Sequence, residues 1–363
     1  MKYPIFFKTI SIPLGSNKPA LMVIFAKIFK LNINSFMSLS LFNPFKDLIF
    51  DEQFCFLTGD LTTEKMSVYP EWLMDHYKFG TDRIEMMDKS KSYHYADLQL
   101  PCSPRVKKAF EKLEEKIQKA YQKGYEGVAA LDEQLLFLWT GRMVYGMLYY
   151  EMRYESNRML RLRETFDLSS TLRERFGNFH LMMQSIIEPI SFVGQKPWSI
   201  VVFPLKYSAD IFSYRDDTVN LLFQFGVNGF GFIACLQDNG VIGEKQKDLL
   251  EKIKGHVLHP IQFEELFARF HYSDYILQYK PEYKIENTSD GIIIEAVSIT
   301  AHESRPVFGF WDEETFAQLL TNYWSVYGIQ RGDIIQFQKP FLSFLENPYS
   351  KDFILPENID LPF

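Results

Sequence analysis

Apolar residues recur at three- and four-residue spacing after Pro104: Val106, Phe110, Leu113, Ile117 and Tyr121 form one stripe, which predicts an amphipathic helix. Ser103 followed by Pro104 is the pattern of an N-cap and a first helical turn, and Gly124 marks the stop. A second helix is predicted over 132–153, apolar on most faces and therefore central. A third lies within 168–187. After Pro189 the pattern changes. Residues 198–204 (WSIVVFP) and 219–225 (VNLLFQF) are rich in β-branched and aromatic side chains and predict buried strands. Asn228–Gly229 predicts a tight hairpin turn, which explains GVNGFG better than a dinucleotide-binding loop, because FIACL continues as strand. A second turn falls at 238–240, and two further strands, 283–286 and 292–298, meet at 289–291. The chain as a whole predicts an α+β fold, with a helical segment leading into a mixed β-sheet with flanking helices.

A chain of 363 residues exceeds one typical domain. The zones are a basic leader (1–46), a region carrying two cysteine motifs and a helical segment (47–190), and a mixed α+β domain (191–363). With 47% hydrophobic and 16% aromatic residues, the chain has ample material for a core. Three cysteines do not make a disulfide framework and fit a reducing, cytoplasmic setting. A net charge of −7 argues against a protein that coats nucleic acid non-specifically. The leader contains Lys2, Lys8, Lys18, Lys27, Lys30 and Lys46 and no acid. Its uninterrupted apolar run, 20–26, is too short to span a bilayer. The leader reads as a poorly structured extension, with a start at Met37 as one option. A signal peptide or an interfacial anchor, which would make this a peripheral membrane protein, is the alternative.

Two stretches carry candidate chemistry: CFLTGDLTTEKMSVYPEWL at 55–73 and LPCSPRVKKAFEKLEE at 100–115. Paired Cys-x-x-Cys motifs supply four thiolates for a closed zinc site. Here each stretch has one cysteine, Cys55 or Cys102. The first stretch resembles the opening of a subgroup of HNH (His-Me finger) endonucleases, Cys-x-x-Cys-Gly, Leu-Thr, then Glu-His-Val-x-Pro-x-Trp-Leu; Cys55, Gly59, Leu61, Thr62, Val68, Pro70, Trp72 and Leu73 match. The second resembles that family's second zinc knuckle and following helix through Leu100, Pro101, Cys102, Leu113 and Glu114, with Cys102 displaced to follow Pro101 directly. Leu136, Leu138 and Trp139 resemble its Leu-x-Leu-Trp helix. The likeness covers about 50–150.

The resemblance implies a small zinc-knuckle ββα module, and the departures imply lost chemistry. The second cysteine of each knuckle falls on Thr58 and Arg105. The general-base histidine falls on Ser67, its preceding glutamate on Met66, and the later asparagine on Val106. The family's histidine deprotonates water while one divalent metal stabilises the leaving oxygen. A serine hydroxyl does neither near pH 7. The expectation is a degenerate, non-catalytic member with no metal cofactor, acting as a binding or scaffold protein. Two rearranged sites stand against it: a zinc set from Cys55, His76, His94 and Cys102, and a Mg²⁺- or Zn²⁺-dependent nuclease site from Asp60, His76 and His94.

The helix after Pro104 also carries Arg105, Lys108, Lys112, Lys116, Lys119 and Lys123 at three- and four-residue spacing. Such a stripe fits a phosphate backbone. The plainer reading is a solvated face balanced by Glu111, Glu114 and Glu115. Elsewhere, His256 and His259, with His271 following, form at most a metal pair without a third ligand, and Glu264 and Glu265 read as helix-surface residues. Asp216–Asp217 reads as a turn or cap. Ser185 and Ser191 have no Gly-x-Ser-x-Gly setting, and no phosphate-binding Gly-x-x-x-x-Gly-Lys loop exists.

Overall fold

A computed structural model describes residues 41–84, 86, 92–208, 211–301 and 305–359. The first forty residues, with most of the basic leader and Met37, lie outside the described residues.

The fold is mixed α+β. Helix α1 (Pro44–Asp47) is capped by Asn43, and its Phe45 is fully buried against Phe50, Tyr145, Phe176 and His180. The last residues assigned to the leader, 41–46, therefore belong to the folded body, because Phe45 has a core to enter. Strand β1 (Lys65–Ser67) precedes α2 (Glu71–Tyr77), a short hairpin of β2 (Arg83–Ile84) and β3 (Tyr93–His94), and β4 (Gln99–Pro101), which pairs antiparallel with β1. Then come α3 (Pro104–Tyr121), α4 (Gly124–Ala129), α5 (Glu133–Leu162) and α6 (Ser170–Met183). Helix α3 buries the predicted stripe from Val106 to Ile117, and Gly124, at φ +66°, separates it from α4. Helix α5 is capped by Asp132, as its first turn requires, and runs beyond the predicted end at 153.

The rest of the chain forms β5 (Ile190–Gly194), β6 (Ser199–Leu205), β7 (Phe212–Asp217), β8 (Leu222–Val227), β9 (Gly229–Cys235), α7 (Val241–Lys245), α8 (Lys247–Ile253), α9 (Pro260–Tyr275), β10 (Tyr283–Thr288), β11 (Gly291–Ala296), α10 (Glu313–Trp324) and α11 (Arg331–Ile334). Four strands make an antiparallel sheet in the order β6-β9-β8-β7. The β8–β9 connection is the expected two-residue turn, with Val227 paired to Phe230 and Gly229 at φ +108°. Strand β11 pairs antiparallel with β10 and parallel with β5.

Side chains alternate faces along a strand, and here both faces of the four-stranded sheet are covered. Phe223, Phe225, Phe230 and Phe232 face a core built with α3, α5 and α6, where Trp139 packs edge-on against Phe225. Phe203, Leu222, Ile233 and Cys235 face a second core with Phe263 and Phe267 of α9 and Leu320 and Trp324 of α10. Double burial explains why β6, β8 and β9 read as continuous apolar runs. Gly226 and Gly231 sit opposite each other. A Cβ on either would lie 2.8–2.9 Å from Leu205 or the Phe263 ring, so these glycines admit α9 to the sheet. The first core draws on both sides of residue 190.

Strand β7 is the element the hydrophobic pattern does not show. It is an edge strand of polar residues whose partners are distant: Arg215 pairs with Glu264 at 3.0 Å, and the Tyr214 hydroxyl bonds that of Tyr69 at 3.0 Å. Asp216 lies within the strand rather than in a turn. Asp217 does cap, accepting from the Val219 and Asn220 N–H groups at 3.0 Å.

Candidate functional site

The two cysteine-bearing loops are stitched together by their backbones. The Cys55 N–H donates to the Asp60 carbonyl at 2.7 Å, the Phe56 N–H to the Pro101 carbonyl at 2.8 Å, and the Thr62 hydroxyl to the Cys102 carbonyl at 2.8 Å. Both cysteines are wholly buried. Burial, and then the neighbouring Cys55, pushes the Cys102 thiol up to about 12. Thr58 donates to Asp60 at 2.7 Å, and Arg105 turns away to pair with Glu188 at 3.0 Å. Ser67 is buried in β1, paired to Gln99 across the ladder.

Neither rearranged metal site is assembled. His76 stacks edge-on against Tyr77 and Tyr121, His94 shares a hydrogen bond with Asp97 at 3.0 Å, and Asp60 is engaged by Thr58. Among the described residues, no three His, Cys, Asp or Glu side chains form a group able to hold a metal ion. The physical reason is placement: the cysteines are in the core, while His94 sits on the partly exposed β2–β3 hairpin.

The zone is held instead by protein groups. The His180 Nε2 donates to the Phe56 carbonyl at 2.8 Å, and its Nδ1 accepts from Gln184, whose amide also reaches the Phe42 carbonyl. Burial pushes His180 down to about 4. The neutral ring's contribution to stability is therefore complete above about pH 6.5 and is lost as pH falls toward 4. A shift of about 2.5 units is worth about 3 kcal/mol. Asp216, Asp238 and Asp274, raised by burial to about 7, 6 and 6, act in the opposite sense, losing stability as pH rises through the same window. The His180 share is thus read from a difference. The stability advantage of wild type over His180→Gln, measured by urea unfolding, is expected to shrink by about 3 kcal/mol between pH 7 and pH 4. A pH-independent difference refutes this.

Two residues quoted separately from the sequence meet at the carboxylate of a third. Glu114 of α3 accepts from the Trp72 indole at 2.7 Å, from the Trp139 indole at 3.0 Å, and from Arg142, whose side chain is buried. Glu114 is therefore withdrawn from the lysine stripe, and the exposed Glu111 and Glu115 remain beside it on α3.

The stripe itself is exposed along α3, and Arg105, Lys108, Lys112 and Lys116 line a groove of about 630 Å³. Its other wall comes from the start of α5 (Asp132, Gln134, Leu135, Leu138) and from 185–187. Lys119 and Lys123 continue the row beyond the groove. Among the described residues no ion pair engages Lys108, Lys112 or Lys116, whereas Lys107 turns to Glu64 at 3.7 Å. Asp132 spends one carboxylate oxygen on the Gln134 N–H at 2.9 Å. The groove is thus a one-sided row of available cations over an aliphatic floor.

The remaining candidates are structural. The His259 Nδ1 caps α9 by accepting from Ile261, His256 lies against Phe353, and His271 bridges Tyr323 at 2.6 Å and Asp217 at 3.5 Å. Glu264 and Glu265 are buried, not surface residues, because α9 is covered on most of its circumference. Glu265 accepts from the Ser343 hydroxyl and the Phe344 N–H, each at 2.7 Å.

Comparison with known protein families, curated proteins and solved structures finds no match to this chain. No helix among the described residues is long and apolar enough to cross a membrane.

Proposed function

We propose that this chain is a non-catalytic, HNH-derived binding or scaffold protein that engages an anionic macromolecule through the α3 groove. The observation that carries the reading is the row of Lys108, Lys112 and Lys116, which make no ion pair among the described residues and line one groove. Surface lysines without partners are cheap to keep only where solvent or a ligand meets them, and three at four-residue spacing add their fields. The non-catalytic part rests on the sequence departures at Thr58, Ser67 and Arg105.

Immobilised heparin is a suitable probe, since it offers negative charge without bases or side chains. Wild type is expected to be retained and to elute with salt, and K108E/K112E/K116E to flow through. Equal retention of both, or none by wild type, sinks the groove. Incubation with plasmid DNA and RNA in Mg²⁺, Mn²⁺, Ni²⁺ or Zn²⁺ tests the other half. Cleavage that disappears in Cys55→Ala or His94→Ala overturns the non-catalytic reading.

A further inference from the structure

We infer that the occupant of this groove is an acidic amphipathic helix from a protein partner, an inference that rests on the groove reading above. Three features of the lining point there. The floor is aliphatic: Ala109, Leu113, Leu135, Leu138, Ile186 and Ile187. Leu135, Ile186 and Ile187 keep part of their surface open. No Phe, Tyr, Trp or His lines it. Single-stranded nucleic acids gain much of their affinity by stacking bases on aromatic faces, and nothing here supplies one. A phosphate chain would meet the lysines and leave Leu135, Ile186 and Ile187 partly wet, whereas a helix can cover both.

The spacing fits as well. At 1.5 Å per residue, Lys108, Lys112 and Lys116 stand about 6 Å apart along α3. A partner helix with acids at i, i+4 and i+8 repeats at the same interval, and its neighbouring aliphatic stripe then faces the floor. Arg105 is held by Glu188, so the three lysines form the charged rail.

The test uses the full chain and four labelled probes in fluorescence anisotropy at physiological salt. The first is a designed helical peptide of about 15 residues with Glu at successive i+4 positions beside a Leu stripe. The others are a shuffled peptide of the same composition, a Lys-for-Glu version, and a uridine oligomer of about 20 nucleotides. The acidic amphipathic peptide is expected to bind at least about tenfold tighter than the other three, a margin of about 1.4 kcal/mol. It should weaken about tenfold or more in K108E/K112E and in Leu135→Gln, with helix content unchanged by circular dichroism. Equal binding of the shuffled peptide reduces the contact to charge alone and overturns the inference. Tighter oligomer binding that K108E/K112E abolishes also overturns it, while leaving the groove reading intact. If no probe binds and heparin retention is also absent, both readings fall.

Discussion

Glu114→Ala is expected to cost about 3–5 kcal/mol, because it leaves the buried Arg142 guanidinium without its charged partner. It also strips the acceptor from two indole N–H groups, on Trp72 and Trp139. Those indoles come from different elements, α2 and α5, so one carboxylate ties α2, α3 and α5 together. Urea unfolding followed by tryptophan fluorescence measures the loss and should show altered native emission as well. Glu114→Gln keeps an acceptor but not the charge, and should fall between wild type and Glu114→Ala. A loss below about 1 kcal/mol for Glu114→Ala would show that the three donors find other partners or water.

Glu265→Ala is expected to release the C-terminal segment from α9. Glu265 has no exposed surface and accepts from the Ser343 hydroxyl and the N–H groups of Phe344 and Leu345, the latter at 3.1 Å. Leaving the Phe344 N–H unpaired costs about 1–3 kcal/mol, and the Leu345 N–H keeps the Ser343 hydroxyl at 3.1 Å, so a total of about 2–3 kcal/mol is expected. Arg269, which pairs with Glu265 at 3.0 Å, keeps a second partner in Glu346 at 3.4 Å, which limits the damage. Hydrogen exchange gives the sharper reading. Amide protection should fall around 343–346, where the bonds to Glu265 are lost, while β8 and β9 keep theirs and Gln262, which reaches the Phe344 and Ile354 carbonyls, is left as the segment's remaining anchor. Uniform loss of protection would make Glu265 a global core residue instead.

Elements with a strict period were legible from the chain. The stripe from Val106 to Ile117 and the Asn228–Gly229 turn needed only local spacing and turn chemistry. What escaped was set by partners far along the chain. Strand β7 reads as polar because Arg215 and Tyr214 are satisfied by Glu264 and Tyr69. Glu264 and Glu265 read as surface residues because charge ordinarily is, and nothing local announces Arg215 or Ser343. The α3 lysines could be seen as a stripe, but the second wall of their groove arrives from 132–138 and 185–187. Likewise Trp72, Glu114 and Trp139 were each visible as motif positions, while their convergence on one carboxylate was not.

The four-stranded sheet has a further consequence for how the chain becomes a molecule. Phe223, Phe225 and Phe232 belong to one core and Leu222, Ile233 and Cys235 to the other, so alternate residues of the same two strands serve both. The pairing of β8 with β9 is local, across a two-residue turn, yet each face of that hairpin waits for helices at opposite ends of the sequence. During synthesis, α3, α5 and α6 emerge before the wall they pack on, and α9 and α10 emerge after it. The hairpin is thus the shared keystone of both halves, and neither half has a finished core until it is in place.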